Sequence, residues 1–382
     1  MRKKHVSPIC LGFLVIVLAL ALAGCWDANY LTNKKMLNGL GFDAAEDGRI
    51  AGTARAIILK AKGGGQFDVS DELVQATGDS IQSLGMRIDS MLPGTIEASK
   101  SQVIVIGQEL AKKGIMSPLE PVYRSHKGFL NGSVLISEGS ASEIISVKQR
   151  ENTPAAFDVL QMVRGAERVT NIPKLTMYSL WTQFDEPGED NIVPYIYKTS
   201  EKTLILDSIA LLDGDRYTGI TLPREESVML LLLKDRLSKL AYLNIPAGQG
   251  SGDGKETDTN VVTIEVQKQK RKLHVSVDPD SGEILCSIKL DLYAELVSYP
   301  GNLGREIDRG RLNQDLSEVL NKEAASVAAK LQKANCDALG IGRRVGASQH
   351  KLWETIDWKT KYREVKIKPE VQVHLTSTGI LH

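Results

Sequence analysis

The chain has 382 residues, of which 42% are hydrophobic and 5% aromatic, with 47 basic side chains against 47 acidic ones. That balance excludes a strongly basic nucleic-acid binder, so no nucleic acid is expected as a partner. The length suits two or three domains of ~100–200 residues, each large enough to bury its own core.

At the N-terminus Arg2, Lys3 and Lys4 precede an apolar run over 9–22, which ends in Leu22-Ala23-Gly24-Cys25. A charged start, an apolar stretch and small residues before a cleavage point make a secretory signal. The run falls short of the ~20 apolar residues that a membrane span needs. The cysteine after the small residues resembles the bacterial lipobox, in which the thiol takes a diacylglyceryl group and becomes the new N-terminus. Residues 1–24 are therefore expected to be a lipoprotein signal and Cys25 the lipidation site; the alternatives are an uncleaved anchor or a plain signal with a chance cysteine. Beyond Gly24 the chain keeps 44 basic and 47 acidic residues, about −3, which gives no reason to expect a polybasic lipid patch. Cys10 lies in the leader; Cys286 and Cys336 are left, far apart, and either bridged or free.

Asp47-Gly48 between the apolar runs of 36–59 predicts a hairpin, ended by Lys62-Gly63. Ile81, Leu84, Ile88 and Leu92 form one helical stripe, stopped by Pro93-Gly94. Residues 102–107 read as a buried strand and 109–113 as a short helix with an i,i+4 charge pair, closed by Gly114. Residues 134–136 read as a strand and 141–147 as a helix. Strand and helix alternate, which predicts a layered α/β unit. Residues 153–197, punctuated by Pro154, Pro173, Pro187 and Pro194, read as irregular with helical stretches.

A second unit begins near Thr203, with a hairpin turning at Asp213-Gly214 and then a helix opened by Pro223 with Glu225 and Glu226 in its first turn. Residues 247–260 read as a Gly/Ser/Asp-rich loop. Residues 261–266, 272–277 and 283–297 alternate as antiparallel strands, with a turn at 278–282. From Leu312 to Ala338 apolar residues recur every three or four positions, a long helix that should expose Glu318, Lys322, Lys330 and Lys333. Residues 365–375 supply a last strand. The fold expected is α+β or mixed α/β: two or three layered domains, each a mixed or antiparallel sheet packed with helices. The divisions are 25–200, with a further break open near 150, and 203–378.

No assembled active site emerges. Gly78-Asp79-Ser80-Ile81 is close to an esterase block, but the serine opens a helix and no histidine has an aspartate three residues before it. Ser348-Gln349-His350-Lys351 matches Ser-x-x-Lys without the companion Lys-Thr-Gly. Gly340-Ile341-Gly342 follows a helix and reads as its stop rather than as a dinucleotide loop. Asp278-Pro279-Asp280 lacks a calcium-loop continuation. Glu225 and Glu226 point to different faces of a helix. Catalytic residues, cofactor and metal are all expected to be none.

Taken in order, these pieces resemble a family. Cys25-Trp26-Asp27 with Leu37-Asn38-Gly39-Leu40-Gly41-Phe42-Asp43, the stretches 77–92, 103–111 and 139–145, Asp213-Gly214-Asp215 with Pro223-Arg224-Glu225-Glu226, and Gly340-Ile341-Gly342 with Trp353 and Trp358 resemble the Ger(x)C spore germination lipoproteins. The chain departs from that pattern at Asn29-Tyr30-Leu31 and Arg124-Ser125-His126. The resemblance implies a non-enzymatic C subunit of a nutrient germinant receptor, responding to amino acids, sugars or nucleosides. It implies membrane lipid and two integral-membrane receptor subunits as partners. It also implies a lipid anchor on the outer face of the cell or inner spore membrane. The other reading is an extracytoplasmic binding or envelope-remodelling lipoprotein.

Overall fold

The computed structural model describes residues 34–378 other than 64–65, 93–94, 126–127, 149–152, 247–260 and 300–306, together with Gly12 ahead of them. The chain enters through β1 (Lys34–Ala44), which pairs antiparallel with β2 (Ile50–Gly63) across a turn where Asp47 and Gly48 take positive φ. Here the structure adds a strand that the sequence pattern hid. β3 (Gln66–Gly78) returns antiparallel along β2, so Gly63 leads into a second hairpin. Helix α1 (Ile81–Met91) then opens at Ser80, whose hydroxyl accepts the Ser83 N–H while the Ser83 hydroxyl accepts the Ser80 N–H. That reciprocal cap accounts for the serine of the Gly-Asp-Ser-Ile block.

After a short β4 (Thr95–Glu97) the chain builds strands joined through helices. They are β5 (Val103–Gly107), α2 (Gln108–Lys113), α3 (Met116–Arg124), β6 (Ser133–Ser137), α4 (Ala141–Ser146), α5 (Ala155–Arg168), α6 (Met177–Phe184) and β7 (Ile192–Ser200). β1, β5, β6 and β7 run parallel in that order, and the helices between β5, β6 and β7 supply the long crossovers that parallel neighbours need. The charge pair on α2 is Glu109–Lys112, at i,i+3 and 2.6 Å, not the i,i+4 pair expected. β7 was concealed by Pro194, whose missing N–H argues against a central strand. The proline is tolerated because pairing with β6 begins only at Tyr195.

β8 (Thr203–Asp213) and β9 (Arg216–Leu222) extend the same sheet, which has nine strands in the order β3-β2-β1-β5-β6-β7-β8-β9, with β4 beside β1. The junction at 200–203 is thus a turn inside this sheet, where Ser200 pairs with Thr203. Both faces are covered, as a parallel sheet requires. Ile104, Ile106, Val134 and Ile136 face α1, α3 and α6, while Val103, Val105 and Leu135 face α4 and α5.

Helix α7 (Arg224–Leu233) is buried from Ser227 to Leu233, hydrophobic all round as a fully enclosed helix must be. The second sheet runs β10-β11-β12-β13. β10 (Ala241–Pro246) was not foreseen. β11 (Val261–Val277) is one strand with irregularities after Thr263 and Val266, where the sequence pattern suggested two, and it turns tightly into β12 (Ile284–Ser298). β13 (Lys366–Ser377) joins β12 in parallel. Helix α8 (Arg309–Lys333) lays Leu312, Leu316, Leu320, Ala324, Val327 and Leu331 on this sheet. It stops five residues short of Ala338, and Lys330 is drawn in by Glu226 at 2.6 Å instead of being free in solvent. Three short helices follow: α9 (Ile341–Ser348), α10 (His350–Trp353) and α11 (Trp358–Lys361). One core joins the second sheet, α7 and α8 to Ile192, Ile209, Leu211 and Leu222 of the first sheet. The mixed sheets packed with helices are the α+β architecture expected.

Candidate functional site

Among the described residues, several segments that carry the family resemblance are scattered in sequence and gathered in space around two carboxylates: 37–43, 103–111 and 139–145 at one, and 213–215, 340–342 and Trp358 at the other. Asp43 ends β1 and aims at the start of α4. Its Oδ1 accepts the Ala141 N–H at 2.7 Å and its Oδ2 accepts the Ser142 N–H at 2.9 Å, while Ser140 Oγ accepts the Glu143 N–H at 3.1 Å. The first turn of α4 thereby finds its acceptors. Burial pushes the Asp43 carboxyl above its usual range, against the pull of the two N–H donors. Gly107 must be glycine here, because a Cβ would lie 2.0 Å from Asp43 Oδ1.

The second carboxylate is Asp337, 1% exposed, in the bend between α8 and α9. Oδ1 accepts the Ile341 N–H at 2.9 Å; Oδ2 accepts the Gly342 N–H at 2.7 Å and the Trp358 indole N–H at 3.1 Å. Gly340-Ile341-Gly342 is therefore the start of α9 and not merely a helix stop: Gly340 is left-handed and the next two residues donate to the aspartate. Burial pushes Asp337 up to about 6, with its N–H donors opposing and nearby Asp190 adding. A Cβ on Gly342 would fall 2.4 Å from the Trp358 indole and 2.9 Å from Gly188 Cα, so the backbones touch only because both residues are glycine.

A chain of charges ties this bend to the first sheet. Asp190 accepts the Asp337 N–H at 2.8 Å through Oδ2, and the Gly214 N–H at 3.0 Å through Oδ1. Lys359 Nζ lies 2.8 Å from Asp190 Oδ1 and 2.6 Å from Asp213 Oδ1, and Asn335 donates to Asp213 Oδ2 at 3.1 Å. Lys234 reaches Glu189 at 3.0 Å and the Ala338 carbonyl. Burial works against the charge on Glu189, yet Lys234 and Arg343 hold its carboxyl below the usual range. Each charge is answered by a fixed partner, and the carboxylates accept from backbone N–H groups and lysines. This is the arrangement of a fastening, with no nucleophile set beside a base. Sequence reading quoted Asp213, Gly340 and Trp358 but missed Asp190, Asp337 and Lys359. The available signal was an aspartate three residues before a glycine that opens a helix.

The other fragments have local duties. Ser348 Oγ donates to the Arg344 carbonyl at 2.8 Å, and Asp278 Oδ1 accepts the Asp280 and Ser281 N–H groups in the β11–β12 turn. Glu226 pairs with Lys330 at 2.6 Å. Cys286 and Cys336 are both buried and unbridged, and burial pushes the Cys286 thiol up to about 12. Such thiols are not nucleophiles. Cys25 lies outside the described residues. Among the described residues no group of three or more His, Cys, Asp or Glu is arranged to hold a metal ion, and no helix is long and apolar enough to cross a membrane. An apolar cavity of about 550 Å³ opens between α1 and α3, over Leu37, Leu40 and Phe42, with Glu120 and Arg124 at its rim.

Fold and site together define a two-sheet α+β protein whose inward charges lock its parts together. Comparison with known proteins supplies the family. The spore germination protein N-terminal domain matches residues 27–198, and the spore germination B3/GerAC-like C-terminal domain matches 207–379. The chain belongs to the GerAC-like, or Ger(x)C, family of spore germination proteins. It is 19% identical to the spore germination protein GerQC of Bacillus cereus over 371 residues, which cover 96% of this chain and 98% of the relative. It is 20% identical to YfkR of Bacillus subtilis (strain 168), over 100% of this chain and 98% of that one. Its fold matches the crystal structure of the GerBC protein with a TM-score of 0.56 at 13% identity, over 88% of this chain and 97% of the other. The family is one of spore germination and is not a known enzyme family.

Proposed function

We propose that this protein is a non-enzymatic, lipid-anchored subunit of a nutrient germinant receptor. The observation that carries the reading is the match of both germination-protein domains, in order, along almost the whole chain. The closed charge network supports it, since the chemistry-bearing side chains of the junction hold the fold together. In this reading Cys25 carries the acyl chains that attach the protein to the outer face of the inner spore membrane. Each buried CH₂ contributes about 0.8 kcal/mol, and two chains make such attachment stable. The folded domains then act beside two integral-membrane subunits.

Two measurements test it. Mass spectrometry of the mature N-terminal peptide should find Cys25 acylated; an unmodified Cys25, or cleavage elsewhere, removes the anchor from the account. Spores lacking the protein should lose or slow their response to one group of nutrients while still germinating with dodecylamine. The partner subunits should become scarcer in the membrane, as expected where association stabilises the folded state. Unchanged responses to every nutrient, in a strain without redundant receptors, would refute the receptor role.

A further inference from the structure

Between the C-terminal ends of α5 and α7 the surface opens into a cleft of about 620 Å³, within the ~300–1,000 Å³ of small-molecule sites. Its lining includes the buried Ile172 and Leu175, 2% and 3% exposed, and the half-buried Leu237. Its rim is basic, with Arg164 and Arg168 from α5, Lys174 from the loop beyond, and Arg236 from the turn after α7. All four are exposed, and among the described residues none of them forms an ion pair within 4 Å. The fifth cation of the lining, Lys234, is committed to Glu189.

Part of this charge answers local needs. Arg164 and Arg168 suit the negative end of α5, and each helix end carries about half a negative charge. Glu167 and Asp235 also line the cleft. Even with both helix ends and both carboxylates counted, roughly one positive charge is left over, and Lys174 stands on no helix at all. The walls are also fixed. Thr170, a β-branched residue at φ 61°, donates to the Leu240 carbonyl at 2.7 Å and accepts the Ser238 N–H at 3.0 Å. Strain of this kind persists only where the surroundings enforce it.

We propose that this cleft binds a small organic anion, its apolar body on Ile172, Leu175 and Leu237 and its carboxylate or phosphate group among Arg164, Arg168, Lys174 and Arg236. Guanidinium groups suit the part, because their planar forks grip carboxylate and phosphate in pairs of hydrogen bonds. The site is independent of the receptor reading.

Calorimetric titration of the full-length protein in phosphatidylcholine nanodiscs tests it, with hexanoate and hexyl phosphate as probes and hexylamine as the size-matched cation. Saturable one-to-one binding of the anions and none of the amine is expected. Arg168→Gln and Arg236→Gln should each weaken anion binding roughly tenfold, the worth of one charge-assisted hydrogen bond, while the urea midpoint moves only slightly because both side chains are exposed. Anions that bind no better than hexylamine, or affinities unchanged in both variants, overturn the proposal. The same titration in nanodiscs containing phosphatidylglycerol separates the sources. Weaker hexanoate binding there upholds the site and names a lipid headgroup as its occupant; equal binding upholds it with a free anion.

Discussion

Three helices end on a left-handed residue that is not glycine: Thr170 after α5, Asp235 after α7 and Asn335 after α8. Each end makes the paired bonds of a Schellman motif, as where the Arg236 N–H donates to the Leu231 carbonyl at 2.8 Å and the Asp235 N–H to the Leu232 carbonyl at 3.0 Å. The left-handed conformation costs such residues about 1 kcal/mol or more, and their side chains show why glycine is absent. Thr170 ties down the turn after α7, Asp235 accepts the Gln269 amide at 2.8 Å, and Asn335 holds Asp213. Thr170→Gly, at a buried site with two side-chain bonds, should therefore destabilise by about 1–2 kcal/mol. Asp235→Gly, at an exposed site, should be neutral or stabilise by up to ~1 kcal/mol. Urea unfolding distinguishes them, and equal shifts in one direction would dismiss the tethering role. A second residue sets a pH dependence. Glu323 on α8 is pushed up to about 7 by burial first and then by Glu225 and Glu226, and its Oε1 finds no hydrogen bond. The folded protein holds this proton after the unfolded chain, at its ordinary 4.5, has released it. Stability from this group is therefore full below pH 4.5 and lost as pH rises through about 7. Glu323→Gln should flatten thermal melts across that window and stabilise at pH 8 by about 1–2 kcal/mol, after allowance for solvent screening. An unchanged pH profile would assign the dependence to other groups.

At the scale of elements, α8 does two things at once. Its apolar stripe packs on the second sheet, and Leu320→Asp, at a fully buried position, should cost several kcal/mol, read as a lowered melting temperature. Its flank closes a sheet edge. Asn313 Oδ1, Ser317 Oγ and Asn321 Oδ1 accept the N–H groups of Leu375, Val373 and Val371 at 3.0, 2.9 and 2.8 Å. Residues four apart on the helix meet residues two apart on β13, so an edge that would otherwise recruit another strand is satisfied. Replacing the three by Ala should speed hydrogen exchange at amides 371, 373 and 375 and promote aggregation; unchanged protection would show that the edge needs no cover. The apolar stripe was legible in the sequence because its spacing survives any context. The polar ladder was not, because Asn and Ser on a helix flank look like ordinary solvent residues until the strand beside them is known. The same reason hid β3 and β7. β3 carries Asp68, Asp71 and Glu72, and Asp71 becomes an inward group by meeting Arg55 at 3.3 Å and accepting the Ala155 N–H at 3.0 Å. β7 contains a proline that only its neighbours make tolerable.

Over the whole molecule, the first sheet runs on through β8 and β9 beyond residue 200, and the shared core with the Asp190–Asp337–Lys359 network fastens the second sheet to it. Several family-like segments that seemed unrelated along the chain are parts of two fastenings: Asp43 with Gly107 and α4, Asp337 with Gly342 and Trp358. Their succession was readable from the sequence; their partners were not, since a carboxylate's donors lie up to 169 residues away. Under the proposed function, Cys25 attaches the folded protein to a membrane, where it works as a receptor subunit. Loss of refractility in purified spores of a deletion strain, complemented with either the parent gene or a Cys25→Ala allele and followed nutrient by nutrient, tests that union most directly. The parent gene should restore the response to one group of nutrients and the Cys25→Ala allele should fail to, with dodecylamine germination intact in both. Full restoration by Cys25→Ala, or a deletion strain that germinates like its parent on every nutrient, would contradict it.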